Sequence, residues 1–395
     1  MKKLKIAHVT PYYHPSVGGV STQAKYIAEE LYNRGHHVDI ITAYKDHASR
    51  PKLQVPKKEN VNGVQVYRYN SILNLNHMSI MPGMIPHLMK HNYDVIHYHS
   101  YRHPLCDISA FFGKLKSSVN VLQGQGPFFE PGEINKLKAF VYRSYDIYAK
   151  FTVLKLSDLI FALNDYEKER FFQIVKSEKK LRIIPSAAEG KSYIKNDPAP
   201  VISKYKLTNK KIILFVGNLD ENKRPDLLVQ ALPEIKKTFP ETVLVFAGRD
   251  EGMVEKCTQL AEKLNVIDLI QFLGFISDED KHMLYDAADV FALVSDKESF
   301  GTVLVEAMAH KVPVVVTDAR GPKSVVKDGV NGFVIPRGNA SALSQAINKI
   351  LFDKNLKNSL AENARKSAEE NYRIESIVNK IESYYYEIYN MRSAH

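Results

Sequence analysis

With 395 residues, 45% hydrophobic and 25% charged, the chain has the length of two ordinary domains and the composition of a globular protein, which sets aside disorder and a disulfide-stapled miniature scaffold. Its two cysteines, Cys106 and Cys257, fall one in each half, so no disulfide framework is implied and a reducing cytosol fits. The net charge of +10 belongs to the first half: residues 1–200 hold 28 Lys/Arg against 17 Asp/Glu, and residues 201–395 hold 26 against 27. Such an imbalance favours an anionic membrane surface, a phosphate-bearing acceptor or nucleic acid as partner of that half.

The opening Met1-Lys2-Lys3-Leu4-Lys5-Ile6-Ala7-His8 moves from charge straight into a strand over 4–9. It lacks the apolar core of a signal peptide, and no later apolar run is long enough to cross a bilayer, so a cytoplasmic location is expected. A loop with Gly18-Gly19, an amphipathic helix over 22–33 stopped by Gly35, and a strand over 38–42 follow. Strand, glycine loop, helix, strand is the start of a parallel α/β sheet. Apolar runs at 64–68, 95–98, 119–123, 159–163 and 181–184 keep that rhythm. The stretch 135–155 alternates Lys136, Lys138, Arg143, Lys150 and Lys155 with Phe140, Tyr142, Tyr145, Tyr148 and Phe151, a pattern suited to an anionic membrane surface. Residues 186–209 are polar and broken by Pro198 and Pro200, and read as a linker.

The second half restarts the alternation, with strands predicted at 212–216, 242–247, 270–273, 290–294, 313–317 and 332–335 and terminal helices at 341–352, 356–370 and 374–389. The fold class expected is therefore α/β, with two Rossmann-like, doubly wound parallel-sheet domains facing each other across a cleft at the carboxyl ends of their strands. The domains are expected over 1–200 and 201–372, with 373–395 a helix returning to the first.

Chemistry concentrates in Glu298-Ser299-Phe300-Gly301-Thr302-Val303-Leu304-Val305-Glu306. A carboxylate, a helix N-terminus near Gly301 and a second carboxylate two turns on would line one wall of a cleft. Free N–H groups at a helix start, helped by the macrodipole, suit a phosphate. Ionised carboxylates on either side suit hydroxyls, since they only accept hydrogen bonds. A diphosphate between two polyols, a sugar nucleotide, matches that order.

Rival signals are weaker. His97, His99, His103 and Cys106 have zinc-ligand types, but two of them alternate out of one strand and no second cluster closes a site. Asp278-Glu279-Asp280 has the look of a divalent-ion motif, yet it follows Ser277 and opens a helix, where first-turn acids behind an N-cap account for it. The glycine loops spell neither the dinucleotide fingerprint nor a Gly-x4-Gly-Lys-Ser/Thr loop. Nucleic acid has only the charge in its favour and no stacking motif.

The motifs in order resemble the family 4 retaining glycosyltransferases, which have the two-Rossmann-domain GT-B fold. Gly18-Gly19-Val20 resembles that family's glycine loop, and Asp94-Val95-Ile96-His97-Tyr98-His99 its "DVIHxH" strand end. Phe215-Val216-Gly217-Asn218-Leu219, with Lys223-Arg224-Pro225-Asp226-Leu227-Leu228, is similar to "FVGRL…KGxDLL", and Phe272-Leu273-Gly274-Phe275-Ile276-Ser277 to "FLGFVS". Glu298-Ser299-Phe300-Gly301 with Glu306-Ala307-Met308-Ala309 matches "EGFGxxxxEAMA", and Asp328-Gly329-Val330-Asn331-Gly332-Phe333 matches "DGxNGF". The similarity runs over nearly the whole chain and is strongest from about 212 to 336.

The resemblance implies roles. Glu298 would bind donor-sugar hydroxyls, while Ser299, Phe300, Gly301 and Thr302 would meet the sugar phosphate with backbone N–H groups. Glu306 would hold the ribose, and Lys223 would neutralise the diphosphate. Phe275 and Ile276, with Arg249, would line the base pocket. Gly18 and Gly19 would let backbone approach the phosphates, and His99 would face the reacting sugar and acceptor as the catalytic histidine beside Glu298. Asn218 stands where the family has Arg, and Arg224, replacing a glycine, is expected to supply the second cation. Gly321-Pro322-Lys323-Ser324 departs from the family's Pro-Glu pair, and Pro185-Ser186-Ala187-Ala188-Glu189 from its Asn-Gly-Val-Asp.

The activity implied is a retaining transfer of sugar from a UDP- or GDP-sugar to a hydroxyl of a glycan or lipid-linked acceptor, with no metal and no cofactor. Peripheral contact with the inner face of an anionic membrane and no nucleic-acid partner are expected. The alternatives are a nucleotide-sugar epimerase on the same fold and a non-catalytic nucleotide-sugar-binding protein.

Overall fold

The computed structural model describes residues 2–16, 18–44, 55–75, 78–130 and 132–393, so Val17 of the first glycine loop lies outside the described residues. The chain divides into two compact units, Met1–Pro185 with Ile374–His395, and Ser186–Arg373.

In the first unit, β1 (Lys5–Thr10), β2 (His37–Ala43), β3 (Lys58–Val61) and β4 (Val64–Tyr69) are followed by a small antiparallel pair, β5 (Leu73–Leu75) and β6 (Met78–Ile80). Then come β7 (Val95–His99), β8 (Val119–Gln123), β9 (Leu159–Ala162) and β10 (Leu181–Ile183). The main sheet runs β10-β9-β8-β7-β1-β2-β4-β3 and is parallel except for β3, which pairs antiparallel to β4. Every residue of β7, β8 and β9 is buried, the signature of a parallel sheet covered on both faces. Strand β3 was not foreseen, because its Lys-Glu-Asn-Val sequence is that of a polar edge. Strand order turns at β1, flanked by β2 and β7, so the loops after β1 and β7 are neighbours at the carboxyl edge of this unit.

The helix Ile374–Ser393 completes the first unit. It buries Ile377, Val378, Ile381 and Tyr385. Its polar edge is pinned by Arg34 to Glu382 at 3.1 Å, by His36 to Glu382 at 2.8 Å, and by Arg392 to both oxygens of Asp158 at 2.7 and 2.8 Å.

The second unit is a single parallel sheet: β11 (Lys211–Val216), β12 (Thr242–Ala247), β13 (Ile270–Gly274), β14 (Val290–Leu293), β15 (Val314–Thr317) and β16 (Phe333–Ile335). Their order is β13-β12-β11-β14-β15-β16. The switch point falls between β11 and β14, so the loops that follow these two strands are neighbours at the carboxyl edge.

The expected linker over 186–209 is instead part of this second unit. It holds a 3-10 turn at Gly190–Tyr193 and a helix at Ala199–Lys204. Pro198 and Pro200 sit at that helix's start, where a missing N–H costs nothing. Ser192, Val201 and Leu207 are buried, and Tyr193 donates to the Ala368 carbonyl at 2.9 Å. Local polarity suggested a linker; burial by distant residues overrides it.

Candidate functional site

At the switch point of the second unit, Asp220 ends the run after β11 and caps a short 3-10 turn, Glu221–Lys223, accepting from the Lys223 N–H at 3.0 Å. The loop after β14 lies beside it. Asp296 N–H donates to the Asn222 carbonyl at 2.8 Å, and Asn222 Nδ2 donates to the Lys297 carbonyl at 2.8 Å. The two loops are therefore stitched backbone to backbone, and across the stitch Lys223 forms an ion pair with Glu298. Burial works against the Lys223 ammonium, but the adjacent Glu298 carboxylate outweighs it and holds the pKa above the ordinary lysine value. The pair stays partly open: a quarter of the Lys223 side chain is exposed.

Immediately beyond, Gly301 takes φ +89°, a left-handed conformation that glycine tolerates, and starts the helix Thr302–Ala309. A Cβ there would also meet Leu293 at 2.8 Å. Phe300 is buried against Tyr372, ring centroids 5.6 Å apart, while Ser299 is exposed and its N–H donates to Glu298 Oε1 at 3.1 Å. The loop is shaped from below by Gly321, whose N–H donates to the Glu298 carbonyl at 2.9 Å. A Cβ on Gly321 would come within 2.3 Å of the Phe300 nitrogen. Within the Gly-Pro-Lys-Ser stretch, Gly321 is thus a residue that the loop's packing requires.

The other predicted residues of this unit fall around the same edge. Glu306 is buried, its carboxylate accepting from Tyr285 at 3.2 Å and paired with Lys281 at 3.3 Å. Burial opposes the Lys281 charge, and Glu306 more than compensates, raising its pKa. Neither Lys281 nor Tyr285 was foreseen; both belong to a helix 21 to 25 residues earlier and carry no local motif. Arg249 follows β12 and lies 4.6 Å over the ring of Phe275, which is 59% exposed, with Ile276 next to it half-buried. Asn218 is half-buried just past β11. Arg224, expected to add a second cation, is engaged elsewhere: it pairs with Asp226 at 2.9 Å and Asp296 at 3.3 Å. Asp278, Glu279 and Asp280 occupy the first turn of a helix capped by Ser277, and Asp280 is further held by Lys204 at 2.6 Å.

In the first unit, Gly18 is the N-cap and Gly19 the first residue of the helix Gly19–Asn33 that follows β1, and both are exposed. A Cβ on Gly19 would meet nothing within 4 Å, so the space before this turn is open. His99 ends β7 as expected, but its ring is fully buried rather than facing outward. Its Nδ1 lies 3.1 Å from Gln125 Nε2 and its Nε2 lies 3.0 Å from His8 Nδ1. Burial first, and His8 second, hold its pKa well below the usual histidine range, so the ring is neutral. The His-x-His-x3-His-x2-Cys set is not assembled. His103 caps the next helix, and Cys106 Sγ donates to the Ser100 carbonyl at 3.1 Å. His8 takes their place, and the ligating nitrogens of His8, His97 and His99 all lie within 4.8 Å of one another. His97 Nδ1 is 2.6 Å from the Tyr385 hydroxyl. The three rings thus lie together as a buried layer under the strand ends, with His8 bonded to His99 and His97 to Tyr385.

Gln125 belongs to a turn held from behind by Glu167, whose Oε2 accepts from Leu163 N–H at 3.2 Å and Gly126 N–H at 3.3 Å. Burial raises the Glu167 pKa to about 7 against those two hydrogen bonds. Its signal in sequence is faint, a first-turn Glu after Asn164, which reads simply as helix capping.

Comparison with known proteins places these features in context. The model for "Glycosyl transferases group 1" matches residues 202–367, and that for "Glycosyltransferase Family 4" matches residues 17–188. An uncharacterized glycosyltransferase of Methanocaldococcus jannaschii is 28% identical across 97% of this chain and 98% of its own length. The N-acetyl-alpha-D-glucosaminyl L-malate synthase of Bacillus anthracis is 27% identical across 98% and 97%. Among solved structures, Anabaena HepE in complex with UDP and glucose superposes with a TM-score of 0.77 at 21% identity, covering 96% of this chain and 98% of that one.

Two predictions follow from the site's packing. Gly321→Ala is expected to destabilise the second unit by about 1–3 kcal/mol through forced displacement of the Glu298–Phe300 backbone; a urea midpoint equal to wild type would contradict that geometry. Glu167 has a folded pKa raised to about 7 from the ordinary 4.5 of a glutamate, so its contribution is complete below about pH 4.5 and is lost as pH rises through 7. Glu167→Gln should therefore flatten the fall in stability between pH 5 and 8, by on the order of 2–3 kcal/mol. An unchanged pH–stability profile would show that Glu167 titrates normally.

Proposed function

This chain belongs to the family 4, group 1 glycosyltransferases, and on that footing we propose that it moves a sugar from a nucleotide-sugar donor to a hydroxyl of a glycan or lipid-linked acceptor, with retention of configuration and without a metal ion. The observation that carries the reading is the Lys223–Glu298 pair, held across two stitched loops beside the start of the helix Thr302–Ala309. A diphosphate entering here would meet the Lys223 ammonium and the first N–H groups of that helix. Glu298, released from Lys223, would accept from donor-sugar hydroxyls. Glu306, oriented by Lys281 and Tyr285, retains acceptor capacity for a ribose, since a carboxylate can take about four hydrogen bonds. Arg249 stacked on Phe275 would offer the base a planar surface.

In the transfer, the acceptor oxygen bonds to the anomeric carbon as the bond to the phosphate oxygen breaks. The nucleoside diphosphate leaves with the electron pair and accepts the acceptor's proton. Lys223 and the helix N-terminus stabilise the charge that develops there. His99, buried and neutral, acts as a positioning residue that holds the Gln125 turn. Asp280 is held by Lys204, and Asp278 and Glu279 lie in the first turn of a helix capped by Ser277, a placement that helix capping accounts for without a metal.

No helix among the described residues is long and apolar enough to cross a membrane. The helix Lys136–Phe151, basic and apolar outward, supports peripheral contact with an anionic surface.

Lys223→Ala is expected to weaken nucleotide-sugar binding at least tenfold, roughly 1.4 kcal/mol, whereas Arg224→Ala, its guanidinium already held by two aspartates, changes it less than threefold. Calorimetry with UDP- and GDP-sugars measures both, and the reverse ranking would assign the diphosphate to Arg224. Product analysis with donor alone separates transfer from epimerisation: an epimerised donor formed without acceptor would overturn the proposal. In a sedimentation assay at moderate salt, the protein should pellet with anionic but not with neutral liposomes. Equal binding to both, or to neither, would remove the membrane contact.

A further inference from the structure

The helix Lys136–Phe151 buries only Ala149, and Leu137, Phe140, Ile147 and Phe151 are each more than 60% exposed. A helix on a globular domain ordinarily buries an apolar stripe. Against it lies a cavity of about 870 Å³, a size that accommodates an extended small molecule. Its apolar lining includes Phe128, Phe129, Tyr142, Ile147, Phe151 and Ile174. Phe128 is the fixed floor, packed on Phe171 at 4.9 Å, and Phe129 stacks on Tyr142 at 5.9 Å. Arg102 ties the helix down: it pairs with Asp146 at 2.7 Å and lies 4.5 Å over the Tyr142 ring.

The remaining cations of the lining behave differently. Arg143, Lys150 and Arg170 form no ion pair among the described residues, and Arg170 Nε is buried without a hydrogen-bond partner. Arg170 also donates to Gln173 Oε1 at 3.1 Å and lies 5.6 Å over the Phe128 ring. Glu130 is a further acid of the lining, but three cations without ion pairs outnumber it, and an apolar, aromatic wall of that charge is complementary to an apolar chain that ends in a phosphate. The same alternation of apolar and basic side chains covers the outer face of the helix, so such an occupant would arrive from a membrane surface.

We propose that this cavity binds the lipid-phosphate portion of the acceptor, its chain along the Phe129–Tyr142–Phe151 wall and its phosphate against Arg170, with Arg143 and Lys150 beside it. The proposal rests on the lipid-linked acceptor reading above and names the place in the first unit where that acceptor is held.

Farnesyl phosphate, a soluble single-chain lipid phosphate, is the probe. Titrated into the full-length protein below its micellar concentration, it should bind and raise the melting temperature. Farnesol and inorganic phosphate at equal concentration should each produce under a tenth of that binding. Arg170→Ala removes the proposed phosphate partner, and Ala139→Trp fills the lining from an exposed helix position where folding is not at stake. Each should weaken farnesyl phosphate at least tenfold while leaving UDP binding unchanged. Binding retained in both variants, or farnesol equal to farnesyl phosphate, would overturn the proposal. So would a concentration-dependent dimer that Ala139→Trp dissolves with no effect of the lipid, since that result seats a second copy of the chain on the face. If UDP fails to bind while farnesyl phosphate binds and the variants respond, the cavity assignment stands and the donor-site reading fails.

Discussion

A single ion pair, Lys223 with Glu298, organises the carboxyl edge of the second unit. Its members come from loops after β11 and β14, strands that neighbour each other only because the sheet order turns there. Partly exposed pairs of this kind contribute modestly to stability, typically below about 1 kcal/mol. Its significance is positional. The Asn222 contacts fix the loops, Gly321 fixes the backbone under Glu298, and Gly301 turns the chain into a helix that begins four residues after Glu298. Cation, carboxylate and helix start are assembled before any ligand arrives, which limits the ordering cost of binding.

Much of the fold was legible because parallel strands buried on both faces leave near-continuous apolar runs, as in 212–216 and 242–247. What local sequence could not show is set by distant partners. The edge strand β3 is polar because one side faces solvent. Residues 186–209 look like a linker until Val201 and Leu207 find a core supplied by the rest of the second unit.

The site divides the same way. Glu298, Gly301 and Glu306 stood out because loop, helix start and charge occur in one short order, whereas Lys223, 75 residues from Glu298, rested on the resemblance alone. Lys281 and Tyr285, which orient Glu306, and Glu167, which backs the Gln125 turn, are remote in sequence and have no signature of their own. Arg224 looked like a spare cation, and only its two aspartate partners show that it is occupied. His99 does end its strand, yet its ring is buried against His8 of the neighbouring parallel strand, a partner 91 residues away that local sequence does not show.

The first unit answers a different demand. Its helix Lys136–Phe151 gives up the usual buried stripe and leaves apolar and basic side chains outward over a cavity, an arrangement that suits an amphiphile better than a freely soluble sugar. If a ligand's diphosphate replaces Glu298 as the partner of Lys223, titration of UDP into Glu298→Gln will show it. Neutralising the competing carboxylate should leave UDP affinity equal to or higher than wild type while sugar transfer is lost. A fall in UDP affinity as large as that caused by Lys223→Ala would contradict it.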